Sequence, residues 1–242
     1  MSGIESILRT LSGAASAKPR LTHYDTQDGV PERIEHSGRV LLNWVSKAAN
    51  LLREEFDAEP GTRVELDLPA AHWRAAYWAL AVWAVGATLV IPTRDSPGSD
   101  AWDPDIVISA SPGSGQAWPP RVVVTLAALA RRHPDVLPPG TFDEAAVLST
   151  YGDVFEADAS PGEGDVALLR VGATVTFAEL VACDDPQAPA ERLLLADPAD
   201  QLSALRAALG VWAADGSLVV TRGQDQRALE ALTAAEGVTR RA

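Results

Sequence analysis

Arg63–Pro92 reads RVELDLPAAHWRAAYWALAVWAVGATLVIP, and three kinds of local order follow one another within it. Arg63 to Leu68 alternates polar and apolar residues, the period of a strand, and Pro69 closes it because proline cannot donate to a ladder. Ala71 to Val85 is helical, with Trp73, Tyr77 and Leu80 at spacings of three and four and Trp83 beyond. Gly86 is placed to cap that helix, and Ala87 to Ile91 is a short apolar strand ended by Pro92. A strand, a helix and a strand in succession, with a connection too long for a hairpin, predict parallel pairing through a right-handed crossover.

The same alternation extends in both directions. Upstream, Leu41, Val45, Ala48 and Leu52 share a helical face, opposite Lys47, Asn50 and Arg53, and Pro60-Gly61 ends that unit. Ile4, Ile7, Leu8 and Leu11 predict a short amphipathic helix, followed by a linker over Ser12–Lys18. His36-Ser37-Gly38, between Arg33-Ile34-Glu35 and Val40-Leu41, has the residues of a hairpin turn. Downstream, strands are expected at 105–109, 121–125, 165–169, 173–176, 191–196 and 217–220. Helices are expected at 142–150, from Phe177, over Leu202–Trp212 and over 225–236, with a short tail from Gly237 to Ala242. Alternating elements of this kind predict an α/β protein with mostly parallel sheets and flanking helices. Two half-domains are expected: residues 1–100, with the N-terminal helix and hairpin, and residues 101–242, a shortened second unit.

Composition narrows the function classes. The 242 residues are 47% apolar and 22% charged, enough to bury a sizeable core. Twenty Lys and Arg against 33 Asp and Glu leave a net charge of -13, which opposes binding to nucleic-acid phosphates. Arg131-Arg132 and Arg240-Arg241 read as a solvated loop and tail. Cys183 is the only cysteine, so a disulfide within the chain is impossible, and its acidic neighbours Asp184 and Asp185 oppose a reactive thiolate. Neither a secretory signal nor a membrane span is evident, so a soluble, cytoplasmic protein is expected.

Lesser motifs favour plain structural readings. Pro112-Gly113-Ser114-Gly115 follows a strand, but Trp118-Pro119-Pro120 stands where a nucleotide-binding helix would open, so a turn is expected. His23, His36, His72 and His133 are scattered, with no pair at helical metal-binding spacing, and no metal site is expected. The acidic loops (Asp95 to Asp105, Asp143-Glu144, Asp153 to Asp165) lack a calcium-loop pattern and read as solvated. Trp44, Trp73, Trp78 and Trp83 suit core packing. Trp73 and Trp78 face different ways on one helix, so one of them is expected at the surface, where it would mark a partner interface.

Arg33 to Pro92 resembles the opening of the AMP-binding domain of acyl-CoA synthetases and other adenylate-forming enzymes. The residues that carry this are Pro60-Gly61-Thr62-Arg63-Val64, Leu68-Pro69, and Trp83-Ala84-Val85-Gly86-Ala87-Thr88-Leu89-Val90-Ile91-Pro92. Arg192–Val220 and Asp225–Thr239 are similar to strand, helix and strand elements of the family's second half-domain. A small actinobacterial protein family, distantly similar to the N-terminal part of these enzymes, has the nearest pattern. The resemblance implies a nucleotide and acyl cleft at the strand ends, but this chain departs from the family where phosphate is held. Only Arg170-Val171-Gly172-Ala173-Thr174 follows the strand at 165–169, in place of a run of glycines and a lysine. The Tyr-Gly-x-Thr-Glu run that helps hold the metal has no counterpart, and the lid domain with its lysine is outside this sequence.

The expectation is therefore a non-catalytic binding or regulatory module, with no catalytic or metal-ligating residue, no cofactor, and no assigned cofactor-binding residues. Its expected partners are an adenylate or acyl ligand, or another protein, and neither nucleic acid nor membrane. Two alternatives stand beside it: a divergent ligase-like enzyme completed by another chain, and a structural or assembly protein.

Overall fold

The computed structural model describes residues 3–27, 31–92, 103–113, 119–181 and 190–242. Among them lie two sheets. The larger, of seven strands, takes β3 (Arg63–Asp67), β4 (Thr88–Val90), β5 (Ile106–Ser109), β6 (Arg121–Val123), β7 (Thr141–Asp143), β8 (Val166–Arg170) and β9 (Ala173–Thr176). Its order is β7-β6-β5-β3-β4-β8-β9, parallel throughout except for the β8–β9 hairpin. The smaller takes β1 (Pro19–Asp25), β2 (Glu32–Ser37), β10 (Arg192–Ala196), β11 (Ser217–Arg222) and β12 (Arg240–Arg241), in the order β12-β10-β11-β1-β2. Only the β1–β2 pair in it is antiparallel. The architecture is the α/β arrangement that the sequence predicts.

The expected boundary between residues 100 and 101 does not coincide with the division between sheets. The smaller sheet joins both ends of the chain, because β1 finds its parallel partner in β11, with Leu21 opposite Leu218. The larger sheet takes strands from both sides of residue 100. Long-range pairing of this kind leaves no local trace in the sequence.

Four helices pack into the seam: α1 (Gly3–Ser12), α2 (Gly38–Phe56), α3 (Trp73–Ala84) and α6 (Gln201–Ala213). Helix α3 touches β1 of one sheet and β3 and β4 of the other, so every face of it meets protein. A helix in that position must be apolar all round, and the run of Ala, Trp and Val satisfies this. Trp73 and Trp78 are 2% and 0% exposed, which corrects the expectation that one of them reaches the surface. Gly86 adopts φ +80, and Ala87 N–H donates to the Val82 carbonyl at 3.0 Å, closing the helix in the left-handed cap expected there.

Three local expectations change. His36-Ser37-Gly38 is a strand-to-helix junction, not a hairpin turn: the Ser37 hydroxyl accepts from Val40 N–H and caps α2. The antiparallel partner of β2 is β1. The tail is not free, since β12 adds to the edge of β10 and α7 (Gln226–Ala235) covers the far face of that sheet through Leu232. The segment 142–150 divides into the end of β7, the short helix α4 (Glu144–Val147) and a 3₁₀ turn at Leu148–Thr150. The short helix from Phe177 is α5 (Phe177–Leu180).

Candidate functional site

Parallel strands direct their carboxyl ends to one rim, and ligands in open α/β sheets bind outside that rim. Here both sheets do so side by side. The turns after β3, β4, β8, β10 and β11 enclose an open cleft of about 690 Å³, lined by Asp67, Arg170, Asp197, Asp200 and Arg222 over a floor that includes Ala71. The lining is mixed in charge, with three carboxylates and two guanidiniums among those residues.

Each of those charges is tied down. Arg170, at the end of β8, reaches across the cleft to Asp200. Asp200 is also the N-cap of α6, accepting from Ser203 N–H at 2.9 Å and from the Ser203 hydroxyl at 2.5 Å. The Ser203 hydroxyl, with the Ser203 N–H and Arg170, holds the Asp200 carboxyl below the ordinary aspartate range against the effect of burial. Asp197 sits at φ 46, a left-handed conformation that aspartate tolerates better than most residues. Its carboxylate accepts from Gly223 N–H at 2.6 Å, so the ends of β10 and β11 are fastened together. On the other wall, the Ser109 hydroxyl donates to Asp67 at 2.9 Å.

Arg170-Val171-Gly172-Ala173, where the resembled enzymes place their phosphate loop, is the tight turn of the β8–β9 hairpin. Arg170 pairs with Ala173 across it, and Gly172 takes φ +78 with open space around it. Two residues cannot wrap a phosphate with successive N–H groups.

Below the cleft two of the four histidines, scattered in sequence, come together. His23 and His72 face each other with ring centroids 4.7 Å apart and planes at 61°. His23 and Asp25 stand two residues apart on β1 and so share a face. The donor atoms of His23, Asp25 and His72 all lie within 4.8 Å of one another, and all three residues are buried. Burial holds the His23 imidazole down at about 4, reinforced by the charges of Arg222 and His36 and opposed by Asp25 and the Ala71 backbone. Burial likewise lowers His72 well below its ordinary value, with His23, Arg74 and Arg222 adding to the effect. His36 packs on Trp73 at 4.5 Å instead. His133 lies apart, its ring accepting from Asp135 N–H at 3.2 Å. Sequence reasoning missed the three-residue group because β1 was not expected as a strand; His-x-Asp at period two is the signal that would have found it.

The remaining sequence candidates stay structural. Asp105, Asp143 and Asp165 each accept a backbone N–H, from Arg63, His133 and Gly162. Cys183, Asp184, Asp185, Asp95, Asp100 and Ser114 to Trp118 lie outside the described residues. Among the described residues, no helix is long and apolar enough to cross a membrane.

Two mostly parallel sheets meeting around a shared rim define the class: this is the fold of the N-terminal subdomain of adenylate-forming enzymes. The whole chain superimposes on 47% of Brucella canis acyl-CoA synthetase at a TM-score of 0.75 and 13% identity. It also superimposes on 42% of the acetoacetyl-CoA synthetase from Streptomyces lividans at 0.72 and 16%. The Klebsiella oxytoca NpsA N-terminal subdomain in complex with 3-hydroxybenzoyl-AMSN matches 99% of the chain at 0.68 and 13%, over 59% of its own length. The chain thus spans less than two thirds of each of these proteins, and at these identities the likeness is one of fold. The chain belongs to the TIGR03089 family: it is 32% identical over 248 residues to the TIGR03089 family protein of Mycobacterium tuberculosis (strain ATCC 25618 / H37Rv), covering 97% of this chain and 96% of that relative. No protein-family model matches the chain.

Proposed function

We propose that this protein is a non-catalytic relative of the adenylate-forming enzymes that binds a small polar ligand in the cleft between its sheets and acts as a binding or regulatory module. The observation that carries this reading is the pairing of an open, charged cleft at the strand ends with a two-residue turn at Arg170–Ala173. A cleft of about 690 Å³ has the size of a small-molecule site. Adenylation requires countercharge on the phosphate oxygens in the transition state, and a turn with one glycine and no lysine supplies no cradle for them. An adenylate or an acyl group is the ligand class that the resemblance implies.

Thermal shift of the purified protein with ATP, AMP, coenzyme A and an acyl-sulfamoyl adenosine tests the binding half of the proposal. A rise in melting temperature with any of them is expected, and no shift with all four would overturn it. ATP–pyrophosphate exchange across a panel of carboxylates tests the other half. No exchange is expected; exchange would return the protein to the ligases.

A further inference from the structure

We propose that His23, Asp25 and His72 form a binding site for a divalent transition-metal ion of the zinc class, at the seam where the two sheets meet beneath the cleft. The proposal is independent of the ligand assigned to the cleft above it.

The donors come together for separate local reasons. On β1 the strand period puts His23 and Asp25 on one face, turned towards α3. His72 is fixed by the turn after β3, where its N–H donates to the Pro69 carbonyl at 2.9 Å. It also caps α3, its Nδ1 accepting from Arg74 N–H at 3.2 Å. Each sheet therefore supplies part of the set, and an ion held there would link them.

His23 carries the inference. Its side chain is 0% exposed, and neither ring nitrogen makes a hydrogen bond of ordinary geometry, although the Ala71 backbone lies near enough to favour the protonated ring. Buried polar groups are satisfied in roughly nine cases of ten, and a bound ion would satisfy this one. Two imidazoles and a carboxylate are a donor set that zinc accepts, with a fourth position left for water. Burial keeps both imidazoles neutral. A neutral imidazole has a single lone pair, so His72 would ligate through Nδ1 in place of its bond from Arg74 N–H, with its proton on Nε2.

Asp25 is already oriented. One carboxylate oxygen accepts from Gln27 N–H at 2.8 Å and the other from Arg222 Nη1 at 2.8 Å, and each oxygen keeps a second lone pair. Such outer contacts aim a ligand at its ion. The Arg222 charge also opposes a cation and so limits the affinity. A tetrahedral ion with bonds of about 2.0–2.1 Å needs donors about 3.3 Å apart. The present spread of up to 4.8 Å must therefore contract by side-chain rotation as the ion enters. Ala71, next to His72, and Arg222, bound to Asp25, both line the cleft, which gives the ion its way in.

The test uses the full chain stripped with a chelator, then titrated with zinc and, separately, cobalt(II). One equivalent per chain, a rise in melting temperature and a visible cobalt spectrum of low coordination number are expected. His23→Gln and His72→Gln should each weaken binding by about tenfold or more, and His133→Gln should leave it unchanged. Should a variant fail to fold, histidine side-chain NMR of the wild-type protein decides: two of the four imidazoles should shift with zinc. The proposal is overturned by no stoichiometric binding below millimolar metal, by unchanged binding in both variants, or by NMR shifts confined to His133 and His36.

Discussion

Arg74 on α3 and Glu144 at the start of α4 form an ion pair at 2.7 Å with side chains only 3% and 1% exposed. The Tyr77 hydroxyl donates to the same carboxylate oxygen, and the other oxygen has no partner. Burial holds the Glu144 carboxyl above the ordinary range, outweighing the guanidinium and the Tyr77 hydroxyl that favour its ionised form. Removing one member strands the other, which costs about 3–5 kcal/mol, whereas an apolar replacement of the set is close to neutral. Arg74→Met should therefore destabilise the protein by that amount. Arg74→Met with Glu144→Leu and Tyr77→Phe should recover most of it. In the single variant the raised acid contributes stability at low pH that is lost as pH rises through its folded value, so its deficit should grow from pH 5 to pH 8. Urea unfolding at the two pH values measures both effects; a deficit independent of pH would mean that Glu144 does not titrate in the variant.

His36 gives the wild-type protein an acid sensitivity of its own. Burial, with the Arg74 charge adding, lowers it from 6.5 to about 4. Above pH 6.5 the ring is neutral in both states and contributes nothing that varies. Below it the unfolded chain takes up a proton that the folded ring refuses until about pH 4, so stability falls across that window. The full loss is about 3 kcal/mol, from 1.36 kcal/mol for each pH unit of difference. His36→Gln should flatten the dependence between pH 6.5 and 4 relative to wild type. Parallel curves for the two proteins would assign the acid sensitivity elsewhere.

Gly38 opens α2 at the place where α1 ends. A Cβ there would lie 2.4 Å from the Leu11 carbonyl oxygen, an approach that backbone cannot yield to cheaply. Gly38→Ala should force the two helices apart and cost about 1–3 kcal/mol. Gly164, with open space around its Cβ position and no positive φ, is the contrast. Gly164→Ala should leave stability unchanged or raise it by up to about 1 kcal/mol. Thermal melts of the pair separate a steric requirement from a general intolerance of alanine.

Most of the larger sheet was readable because its strands alternate or run apolar and are bounded by Pro or Gly, as at Pro69 and Pro92; β7 was not, because its three residues sit at the head of a segment that reads as a helix. β1 was not, because its buried positions carry Arg20, Thr22, His23 and Asp25, residues that a hydrophobic pattern assigns to the surface. Arg20 is hidden only because the Asp215 side chain and the Gly216 carbonyl accept from its guanidinium, and those partners lie at the other end of the chain. β12 escaped notice because it consists of two exposed arginines, held by Glu191 and Thr233. The cleft could be inferred through the family resemblance alone. The histidine group needed β1 to be read as a strand, for which His-x-Asp is the local signal, and its packing against the turn that carries His72, which no local pattern announces.

Arg170 and Asp200 allow a test of the cleft that separates charge from folding. Asparagine caps a helix about as well as aspartate, so Asp200→Asn should keep the bond to Ser203 and the start of α6. The ion pair it removes is about half exposed, with side chains 32% and 46% accessible, and such pairs contribute between 0 and about 1 kcal/mol. Stability should thus change little, while Arg170 is released into the cleft with its charge uncompensated. AMP, an anion, should then bind more tightly to Asp200→Asn than to wild type, and less tightly to Arg170→Ala. Calorimetric titration of the three proteins at low salt should give that order, and the differences should shrink as salt screens the guanidinium. Identical AMP affinity in all three would place the ligand away from Arg170 and require another site for the proposed binding.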